Sequence, residues 1–511
     1  MNAELSKLKK QRISVVNEIH ELLGPKSDTV MYAEFERITE TEENYILRGT
    51  LCTSKMLSFC ERLFSYQGET PENEEIDIFR PIFFGFVLRV PKKRGPEERS
   101  RNDRDMWEYL YEPFSAALLR DFLETVKEIA KEIAPAENPV LIAENILRRY
   151  DFLVRFDPDG LDADVYFAAS PYWQIRKKLL FELPDLSVQK KSLKQKVGNM
   201  IQQRVISLKS HHSLPASNPD TLQILNVGQG NFICLYDSKT KKTELVSDVG
   251  FTSFEKHDAF PAKDYIPKID CGCYVISHFD TDHILGCIYL QSSQFTKSHR
   301  WYIRHPKYVK EISVSALMFI RLLLFADLYV IDTLQDPLTL SQNPLTLSQN
   351  PFAELYYGTG KGRSKAEINN NIGLILRIQT GKDILLPGDC MYHAWGSALK
   401  QKAPLQLDYL VIPHHCCALG NRTNQIVQGK PGAIAVASVG SNSYGHPDAA
   451  HIAKLNQWGF TVVETNTKIK IKQVKKRNIK KTIKRNNKKR KMIILVPNPK
   501  LNADGILELP L

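Results

Sequence analysis

The sequence lacks the features that would carry this chain into or across a membrane. Residues 1–24 are charged throughout and contain no apolar stretch of signal-peptide length. The most apolar run, Leu317 to Ile331, carries Arg321 and Asp327 and is shorter than the roughly 20 apolar residues that a membrane-spanning helix needs. We therefore expect a soluble, cytoplasmic protein.

The cysteine patterns of disulfide frameworks and zinc ribbons are also missing. The nine cysteines are scattered along the chain, their number is odd, and no pair of CxxC elements occurs. A phosphate-binding P-loop is absent as well, since GTGKGRSK, around Ser364, does not have the GxxxxGK[ST] order. We expect most of the cysteines to be small core residues.

Acidic residues are absent from one strongly basic segment. Residues 468–491 contain 14 of the 69 Lys and Arg and no Asp or Glu, which leaves 55 basic against 57 acidic residues elsewhere. The formal charge of +12 therefore belongs to this segment, and the rest of the chain is close to neutral.

The chain divides into two regions that differ in the spacing of their apolar residues. Residues 1–210 carry helical apolar patterns but no catalytic constellation, which predicts a mainly α-helical domain of unknown role. The patterns cover, among others, Met106 to Ile133, Ala136 to Tyr150 and Tyr172 to Ser207. The polar stretch 211–220 indicates a linker. From Leu222, short apolar strands and glycine-rich turns alternate with helices, which is typical of an α/β layered domain.

Four potential metal ligands lie within six residues in CYVISHFDTDHILG. They are His278, Asp280, Asp282 and His283, and they follow an apolar strand. Imidazole and carboxylate are ligands that suit zinc, manganese and iron. Because a loop can turn closely spaced side chains toward one point, this segment predicts a metal site.

Further polar residues follow other apolar strands. Asp248 ends ELVSDVG, Asp389 follows DILLPG, His414 follows LDYLVIP, and His446 follows AIAVASVG in YGHP. The carboxyl ends of strands are where α/β sheets gather their active sites. We therefore expect these residues to join the four ligands.

The ordered motifs resemble those of the metallo-β-lactamase superfamily, and in particular the hydrolase domain of competence DNA-uptake proteins of the ComEC type. Those proteins show VGQGD, DxG, HxDxDH, GD, HHG and YGHP, where this chain has VGQGN, DVG, HFDTDH, GD, HHC and YGHP. The resemblance covers residues 221–466. It implies an αββα metallo-β-lactamase-like sandwich, preceded here by the mainly helical domain.

The resemblance also implies a role for each matching residue. His278 and Asp280 would bind one divalent ion, Asp282 and His283 a second with help from His414, and Asp389 would bridge the two. Asp248 would lie behind the ligands and orient their loop. Asp282 and His446 would be the catalytic residues, with His446 as a proton donor or a phosphate contact. A metal-activated hydroxide would attack the substrate.

This chain departs from the superfamily pattern at several positions. Asp280 stands where the commonest loop of the superfamily has histidine. The position of a further histidine ligand of the superfamily falls near Asn371, and we expect this asparagine to lie behind the ligands instead. Asn231 replaces the acid of VGQGD, and Cys416 replaces the glycine of HHG. More oxygen ligands favour manganese as well as zinc. A one-metal or inactive derivative stays open.

The sequence allows three interpretations of the role of the basic segment. At its start, in KIKIKQVK, lysine alternates with apolar residues, and the apolar run MIILVP follows its end. These patterns predict that residues 467–511 form a basic hairpin and a C-terminal strand completing the sheet. Its tip could bind nucleic-acid phosphates, or it could be a solubilising insertion or a localisation signal. The candidate phosphate contacts are Lys475, Lys476, Arg477, Lys480, Lys481, Lys484 and Arg485.

Three functions remain open from the sequence. The first is a metal-dependent phosphodiesterase or nuclease with nucleic acid as its substrate. The second is a hydrolase of a small ester, lactone or thioester, which the same fold supports. The third is a catalytically weak interaction protein, with a protein partner or self-association through residues 1–210.

Overall fold

A computed structural model describes most of the chain. The described residues are 3–24, 30–68, 70–93, 113–133, 139–169, 172–182, 188–202, 205–206, 219–253, 255, 257–305, 312–331, 345–346, 353–362, 365–400, 404–419, 425–440, 446–465, 501–502 and 506–511. Among them, no helix combines the length and the apolar character that crossing a membrane requires.

The N-terminal region is built on a five-stranded antiparallel sheet flanked by helices. The strands lie in the order β1-β2-β3-β4-β5, and β4 also pairs with β1. The strands are β1 Met31–Glu40, β2 Asn44–Cys52, β3 Phe83–Pro91, β4 Asp151–Ala168 and β5 Tyr172–Glu182. The helices are α1 Ala3–Leu22, α2 Ser54–Ser65, α3 Asn73–Ile76, α4 Ala116–Ile133, α5 Pro139–Leu147 and α6 Val188–Gln202.

The region was expected to be mainly helical with some strand, and among the described residues its six helices lie beside a full five-stranded sheet that the sequence did not predict. Residues 172–207 were expected to form a long basic helical run broken around Pro184, but they begin with β5, which pairs with β4 along its whole length. In β5 the charged Arg176 and Lys178 are exposed on alternate positions, which is the period of a strand. Only the later part of the run, α6, buries Leu193 and Val197 at helical spacing.

The second region contains two further sheets. The eight-stranded sheet has the order β20-β7-β8-β9-β10-β11-β12-β6, and the seven-stranded sheet runs in sequence from β13 to β19. The strands are β6 Val205–Ile206, β7 Thr221–Leu225, β8 Phe232–Asp237, β9 Lys242–Val249, β10 Cys273–Ile276, β11 Arg300–Arg304, β12 Asp327–Ile331, β13 Leu345–Thr346, β14 Ala353–Tyr357, β15 Leu374–Gln379, β16 Asp383–Leu386, β17 Leu405–Val411, β18 Val427–Ala437, β19 Thr461–Glu464 and β20 Ile506–Pro510. The helices are α7 Ala262–Tyr265, α8 Thr281–Ile284, α9 Val314–Leu323, α10 Lys365–Asn371, α11 Ser397–Lys400 and α12 Ala449–Gln457.

These two sheets share an apolar core. Val275 and Tyr302 of the eight-stranded sheet lie in one buried cluster with Leu376 and Val411 of the seven-stranded sheet. A second cluster covers the other face of the seven-stranded sheet and includes Leu455 of α12. The second region is therefore a mixed α/β architecture, with sheet packed on sheet.

The N-terminal region is packed firmly onto the second region. A single buried cluster runs from α1 through the N-terminal sheet to α9 and the eight-stranded sheet. Arg80 donates hydrogen bonds to the carbonyl oxygens of Cys287, at 2.7 Å, and Leu290, at 2.6 Å. The short β6 also adds to the edge of β12 in parallel. The two regions thus share one core across this contact.

The C-terminus returns to the other edge of the eight-stranded sheet, where β20 pairs antiparallel with β7. The basic segment 468–491 lies outside the described residues, and so does most of the expected linker, residues 211–218. The hairpin and the linker therefore stay predictions.

Candidate metal centre

The carboxyl ends of the parallel strands of both sheets meet at one site. Strands β9 to β12 run parallel in one sheet, and β16 to β19 run parallel in the other. Direct side-chain contacts then join Asp248, near the end of β9, to the segments that follow β10, β16 and β17. The residues gathered there are Asp248, His278, Asp280, Asp282, His283, Asp389, His414 and His415.

The loop after β10 is held by two glycine-containing turns. Asn231 donates its backbone N–H to the Asp282 carbonyl oxygen, at 3.1 Å, and accepts from the N–H of Gly250, at 2.7 Å. A Cβ atom at Gly250 would lie 1.8 Å from that Asp282 oxygen, so only glycine fits there. The VGQGN and DVG turns therefore fix the backbone from which Asp282 and His283 project.

Asp248 organises two histidines at once. Its carboxylate accepts hydrogen bonds from the N–H of Ser277, at 2.7 Å, the hydroxyl of Ser277, at 2.9 Å, and Nδ1 of His283, at 2.8 Å. The Ser277 hydroxyl oxygen in turn lies 3.0 Å from Nδ1 of His278. Because a carboxylate only accepts, His283 must carry its proton on Nδ1, and the same chain assigns the His278 proton to Nδ1. Both Nε2 atoms then keep a lone pair for a metal ion.

His415 is fixed in the same tautomer by a different partner. Its Nδ1 lies 2.8 Å from the carbonyl oxygen of Ser438, which can only accept. Its Nε2 lies 3.2 Å from Oδ2 of Asp282, and the ring is fully buried. His415 is therefore the histidine beside Asp282, whereas the sequence had assigned His414 to that side.

The two oxygens of Asp389 face two different groups of ligands. Oδ1 lies 3.0 Å from Nε2 of His283 and 3.6 Å from Nε2 of His415. Oδ2 lies 3.7 Å from Nε2 of His278 and 3.5 Å from Nε2 of His414. Asp280 joins the second group, with Oδ2 at 3.6 Å from Nε2 of His278. One buried carboxylate thus stands between Asp282, His283 and His415 on one side and His278, Asp280 and His414 on the other.

Two of these separations, His283 to Asp389 at 3.0 Å and His415 to Asp282 at 3.2 Å, fit donors to one cation, and the other four, at 3.5–3.7 Å, are wider. Two donors that are each about 2.1 Å from one ion, at angles between octahedral and tetrahedral, lie about 3.0–3.4 Å apart. Neither oxygen of Asp389 and none of the four Nε2 atoms makes a hydrogen bond among the described residues. At His283 and Asp389, Nε2 and Oδ1 lie 3.0 Å apart, so either a metal ion or a second proton on His283 must lie between them. Two ligand groups of this kind can be drawn, His278 with His283 and Asp389, and Asp282 with His283 and His415.

The segment that carries the two adjacent histidines has an unusual backbone. His414, His415 and Cys416 all have positive φ, of 52°, 52° and 62°. This left-handed conformation is strained for residues other than glycine, at about 1–2 kcal/mol each. It brings both imidazoles to Asp389 from consecutive positions. Cys416, which stands where the competence-type motif has glycine, adopts the backbone that glycine favours.

The electrostatics of the site follow from its burial and its crowded charges. Burial lowers the pKa of His414 to about 3, assisted by the nearby positive charge of Arg37. His414 is therefore neutral at pH 7, as a metal ligand must be. Burial also lowers the pKa of His283, but the charges of Asp389 and Asp248 outweigh it and raise this pKa well above its ordinary value.

Two of the remaining predicted residues lie beside the cluster. The ring of His446 is 6.1 Å from that of His414, between centroids, and burial lowers its pKa well below the ordinary value. The side chain of Asn371 donates to the carbonyl oxygen of Lys361, at 2.6 Å, and accepts from the N–H of Met391, at 3.0 Å. Asn371 thus holds the turn after Asp389 in place, and Nε2 of His414 lies near the same oxygen of Asp389 as Nε2 of His278.

The comparisons with known proteins do not assign the chain to a family. Comparison with models of protein families finds no match, and comparison with curated proteins finds no significant match. The assignment of the site therefore rests on its geometry and on the ordered motifs.

Sequence reasoning missed His415, Ser277 and Arg37. The motif HHC offered two adjacent histidines, and only the first was chosen. Ser277 directly precedes His278, but a serine at the end of a strand carries no signal of its own. The seven candidate phosphate contacts in 475–485 lie outside the described residues, so their role stays a prediction.

Proposed function

We propose that this protein is a metal-dependent hydrolase with a metallo-β-lactamase-like catalytic region, built from two packed sheets and their helices. The observation that supports the proposal best is Asp389. Its two buried oxygens accept no hydrogen bond from a backbone N–H, a hydroxyl, a lysine or an arginine among the described residues, and they face the Nε2 atoms of four histidines. A structural cluster would satisfy such atoms with donors, whereas a metal centre leaves lone pairs to converge.

The donor set suits zinc or manganese. It combines imidazole nitrogens with aspartate oxygens, and no cysteine is among the ligand groups found within the described residues. Asp282, His283 and His415 would hold one ion, and His278, Asp280 and His414 a second, with Asp389 shared between them. Bound there, divalent ions would lower the pKa of a coordinated water from about 15.7 toward about 7 and polarise the bond under attack.

The chain's own residues would position the reactants. Asp248 and Ser277 hold the rings of His278 and His283 in place through their hydrogen bonds to the Nδ1 atoms. His446 lies at the rim of the cluster as a neutral ring, so it can donate one N–H to a substrate oxygen.

We propose a phosphodiester, and most plainly nucleic acid, as the substrate class. Paired metal sites that share a carboxylate suit phosphate esters, because both the attacking and the leaving oxygen can be stabilised. The competence-type motifs and the 14 basic residues of 468–491 favour the same class. A small ester or lactone is the competing substrate, and a panel of substrates separates the two.

The test combines metal analysis with that substrate panel. Purified full-length protein, loaded with Mn²⁺ or Zn²⁺ and desalted, should hold close to two ions per chain by elemental analysis. It should hydrolyse bis(p-nitrophenyl) phosphate and single- or double-stranded DNA or RNA faster than p-nitrophenyl acetate or a lactone. Asp389→Asn should lose both metal and activity, whereas Asp258→Asn, at an exposed carboxylate, should lose neither.

Each outcome has a distinct meaning. Protein that takes up no metal under any loading condition would refute the hydrolase proposal. Metal-loaded protein that prefers the acetate or lactone would keep the metal centre but refute the phosphodiester. His446→Ala, which removes no ligand, should keep its metal and lose rate. If it instead loses metal and keeps its rate per bound metal, the role given to His446 is wrong.

A further inference from the structure

The hydroxyl of Tyr166, on β4 of the N-terminal sheet, reaches the loop that carries the metal ligands. It is hydrogen bonded to the side chains of Thr281 and Ser253. Thr281 stands between Asp280 and Asp282 in the chain, and Ser253 lies in the segment that follows β9. Tyr166 is only 4% exposed, and burial raises the pKa of its phenol above the ordinary value, so the group is a neutral hydroxyl at pH 7. One buried hydroxyl thus joins the N-terminal sheet to two segments of the site.

The position of this hydroxyl is set by a glycine on the neighbouring strand. Gly85 of β3 pairs with Tyr166, and a Cβ atom at Gly85 would lie 2.4 Å from both Cζ and Oη of the tyrosine. The ring therefore lies across β3, in space that a larger residue at position 85 would fill. Phe167, the next residue of β4, is on the other face, where its ring centroid is 5.2 Å from that of His20 in α1. The sheet thus presents Tyr166 on the face opposite to α1.

The same face of the sheet is charged. A bulge in β1 places both Glu36 and Arg37 on it, because the register between β1 and β2 shifts just before Arg37. Glu36 is hydrogen bonded to the side chain of Thr50, which pairs with Gly85 beside the ring of Tyr166. Buried polar groups need hydrogen-bond partners, so this charged face matches polar groups of the second region rather than an apolar core.

Asp280 is the most exposed of the ligands. Its side chain is 43% exposed, does not cap α8, and lies 3.6 Å from Nε2 of His278. The neighbouring Asp282 has support within the second region, since its carbonyl oxygen accepts from the N–H of Asn231 at 3.1 Å. The direction of the Asp280 carboxylate therefore depends on the backbone of residues 280 and 281, and the side chain of Thr281 is where the N-terminal sheet holds that backbone.

We propose that Tyr166 is a positioning residue of the metal centre, and that by holding Thr281 it keeps Asp280 and Asp282 directed at the ions. The inference rests on the proposed function, because it needs a metal at this site. Tyr166 acts through Thr281 and is not itself a ligand, in the way that groups behind metal ligands set their orientation. Residues 1–210 would then complete the metal centre rather than form a separate domain.

The test measures zinc affinity in the full-length protein, by competition with a chromophoric chelator. Tyr166→Phe removes only the hydroxyl, and Thr281→Val replaces the threonine with a side chain of the same shape. Each should weaken zinc binding by about threefold to tenfold, the net effect of one hydrogen bond. Thr281→Ser keeps a hydroxyl and should bind zinc nearly as tightly as wild type. The double variant Tyr166→Phe/Thr281→Val should lose little more than either single variant, because both changes remove the same hydrogen bond.

Tyr45→Phe is the matched control. Tyr45 is a buried tyrosine of the same sheet, but its hydroxyl is hydrogen bonded to Glu124 of α4, within the N-terminal region. Its loss should lower the free energy of unfolding, measured by denaturant titration, and leave zinc affinity unchanged. The absorption spectrum of bound Co²⁺ is a second readout, because it reports the geometry of the ligands. It should change in Tyr166→Phe and not in Tyr45→Phe.

The outcomes separate this inference from the proposed function. A folded Tyr166→Phe protein that binds zinc as tightly as wild type overturns the inference and leaves the hydrolase standing. An equal loss of zinc affinity in Tyr45→Phe overturns it too, because the loss then follows from a weakened sheet. If Tyr166→Phe does not fold, equal zinc affinities in Thr281→Val and Thr281→Ser overturn the inference. Wild type that takes up no metal refutes the proposed function and this inference with it.

Discussion

Asp248→Asn changes the orientation of the metal ligands while keeping the ligands themselves. Asp248 has a positive φ of 57°, a backbone conformation that asparagine tolerates better than most residues. The amide can still accept from the N–H of Ser277 through one oxygen. Its NH₂ group, however, replaces the oxygen that accepts from Nδ1–H of His283 and from the Ser277 hydroxyl.

The expected effect is a loss of metal affinity of about tenfold to hundredfold, which is about 1.4–2.8 kcal/mol. Two donors would face each other at His283, so the ring must either turn away or move its proton to Nε2. Either change removes a lone pair from the side of Asp389 where Nε2 of His283 lies at 3.0 Å. Loss of a buried negative charge near the ions acts in the same direction.

The assay is competition between the protein and a chromophoric chelator for Zn²⁺, read as an apparent Kd for wild type, Asp248→Asn and Asp258→Asn. Thermal unfolding without metal shows that each variant is folded. Asp258 is a suitable control because its side chain is 83% exposed. An Asp248→Asn protein that is folded and binds Zn²⁺ as tightly as wild type would refute the assignment of Asp248 as the residue that orients the ligands.

The same structure predicts four further outcomes. His415→Ala should reduce the metal content from two ions per chain toward one, as measured by elemental analysis, whereas His393→Ala should not; retention of both ions in the first would exclude His415 as a ligand. Burial raises the pKa of Glu36 to about 7, and a raised acid pKa lowers stability as pH rises from the unfolded to the folded value. In metal-free protein, Glu36→Gln should therefore stabilise by about 3 kcal/mol at pH 8 but by under about 1 kcal/mol at pH 5, as measured by denaturant titration; an equal effect at both pH values would contradict this. Replacing the Lys and Arg of 475–491 with Ser should weaken binding of single-stranded DNA and leave hydrolysis of bis(p-nitrophenyl) phosphate unchanged. The slope of the logarithm of the binding constant against the logarithm of salt concentration should become shallower by about 0.7 for each phosphate that is no longer neutralised. The same slope in both proteins would rule out phosphate binding by this segment. A chain beginning at Thr221 would expose the apolar cluster shared with the N-terminal region and should show no cooperative thermal transition, so a cooperative one would contradict the shared core.

The ligand cluster could be predicted because its elements are local in the sequence. His278, Asp280, Asp282 and His283 are nearly contiguous, and Asp389 directly follows a short apolar strand. Once strands are recognised, a parallel sheet brings their carboxyl ends to one edge, whatever the details of packing. The structure indeed gathers these residues, together with Asp248.

The choice between His414 and His415 could not be made in this way. Both follow β17, and each lies near a different oxygen of Asp389 because the backbone is left-handed at both positions. Apolar periodicity does not report φ, and histidine is not a residue that signals a positive value. Asn371 illustrates the same limit, since its side chain binds the backbone of Lys361 and Met391 rather than approaching the ligands.

The N-terminal sheet was missed for a different reason. Strand β4 spans 18 residues and contains charged and glycine positions, and its partner β5 places basic residues on its exposed face. These features weaken the alternation by which strands are recognised, while the neighbouring helices α4 and α5 carry strong apolar faces. A region that mixes the two patterns is then read as helical.

The relation of Arg37 to the metal centre depends on contacts that are distant in sequence. The two ends of the hydrogen bond between Arg80 and the Cys287 carbonyl are 207 residues apart, and the bulge in β1 matters only once β1 is paired with β2 and β4. A local pattern around ERIT contains none of this. Contacts of this kind also bear on the role of residues 1–210. If they were a separate partner-binding domain, their charged face would be under no constraint to match the centre. Instead, the charges of Glu36, Arg37 and Arg48 act on aspartates that would hold the metals, and Tyr166 is hydrogen bonded to Thr281, which stands between two of them in the chain.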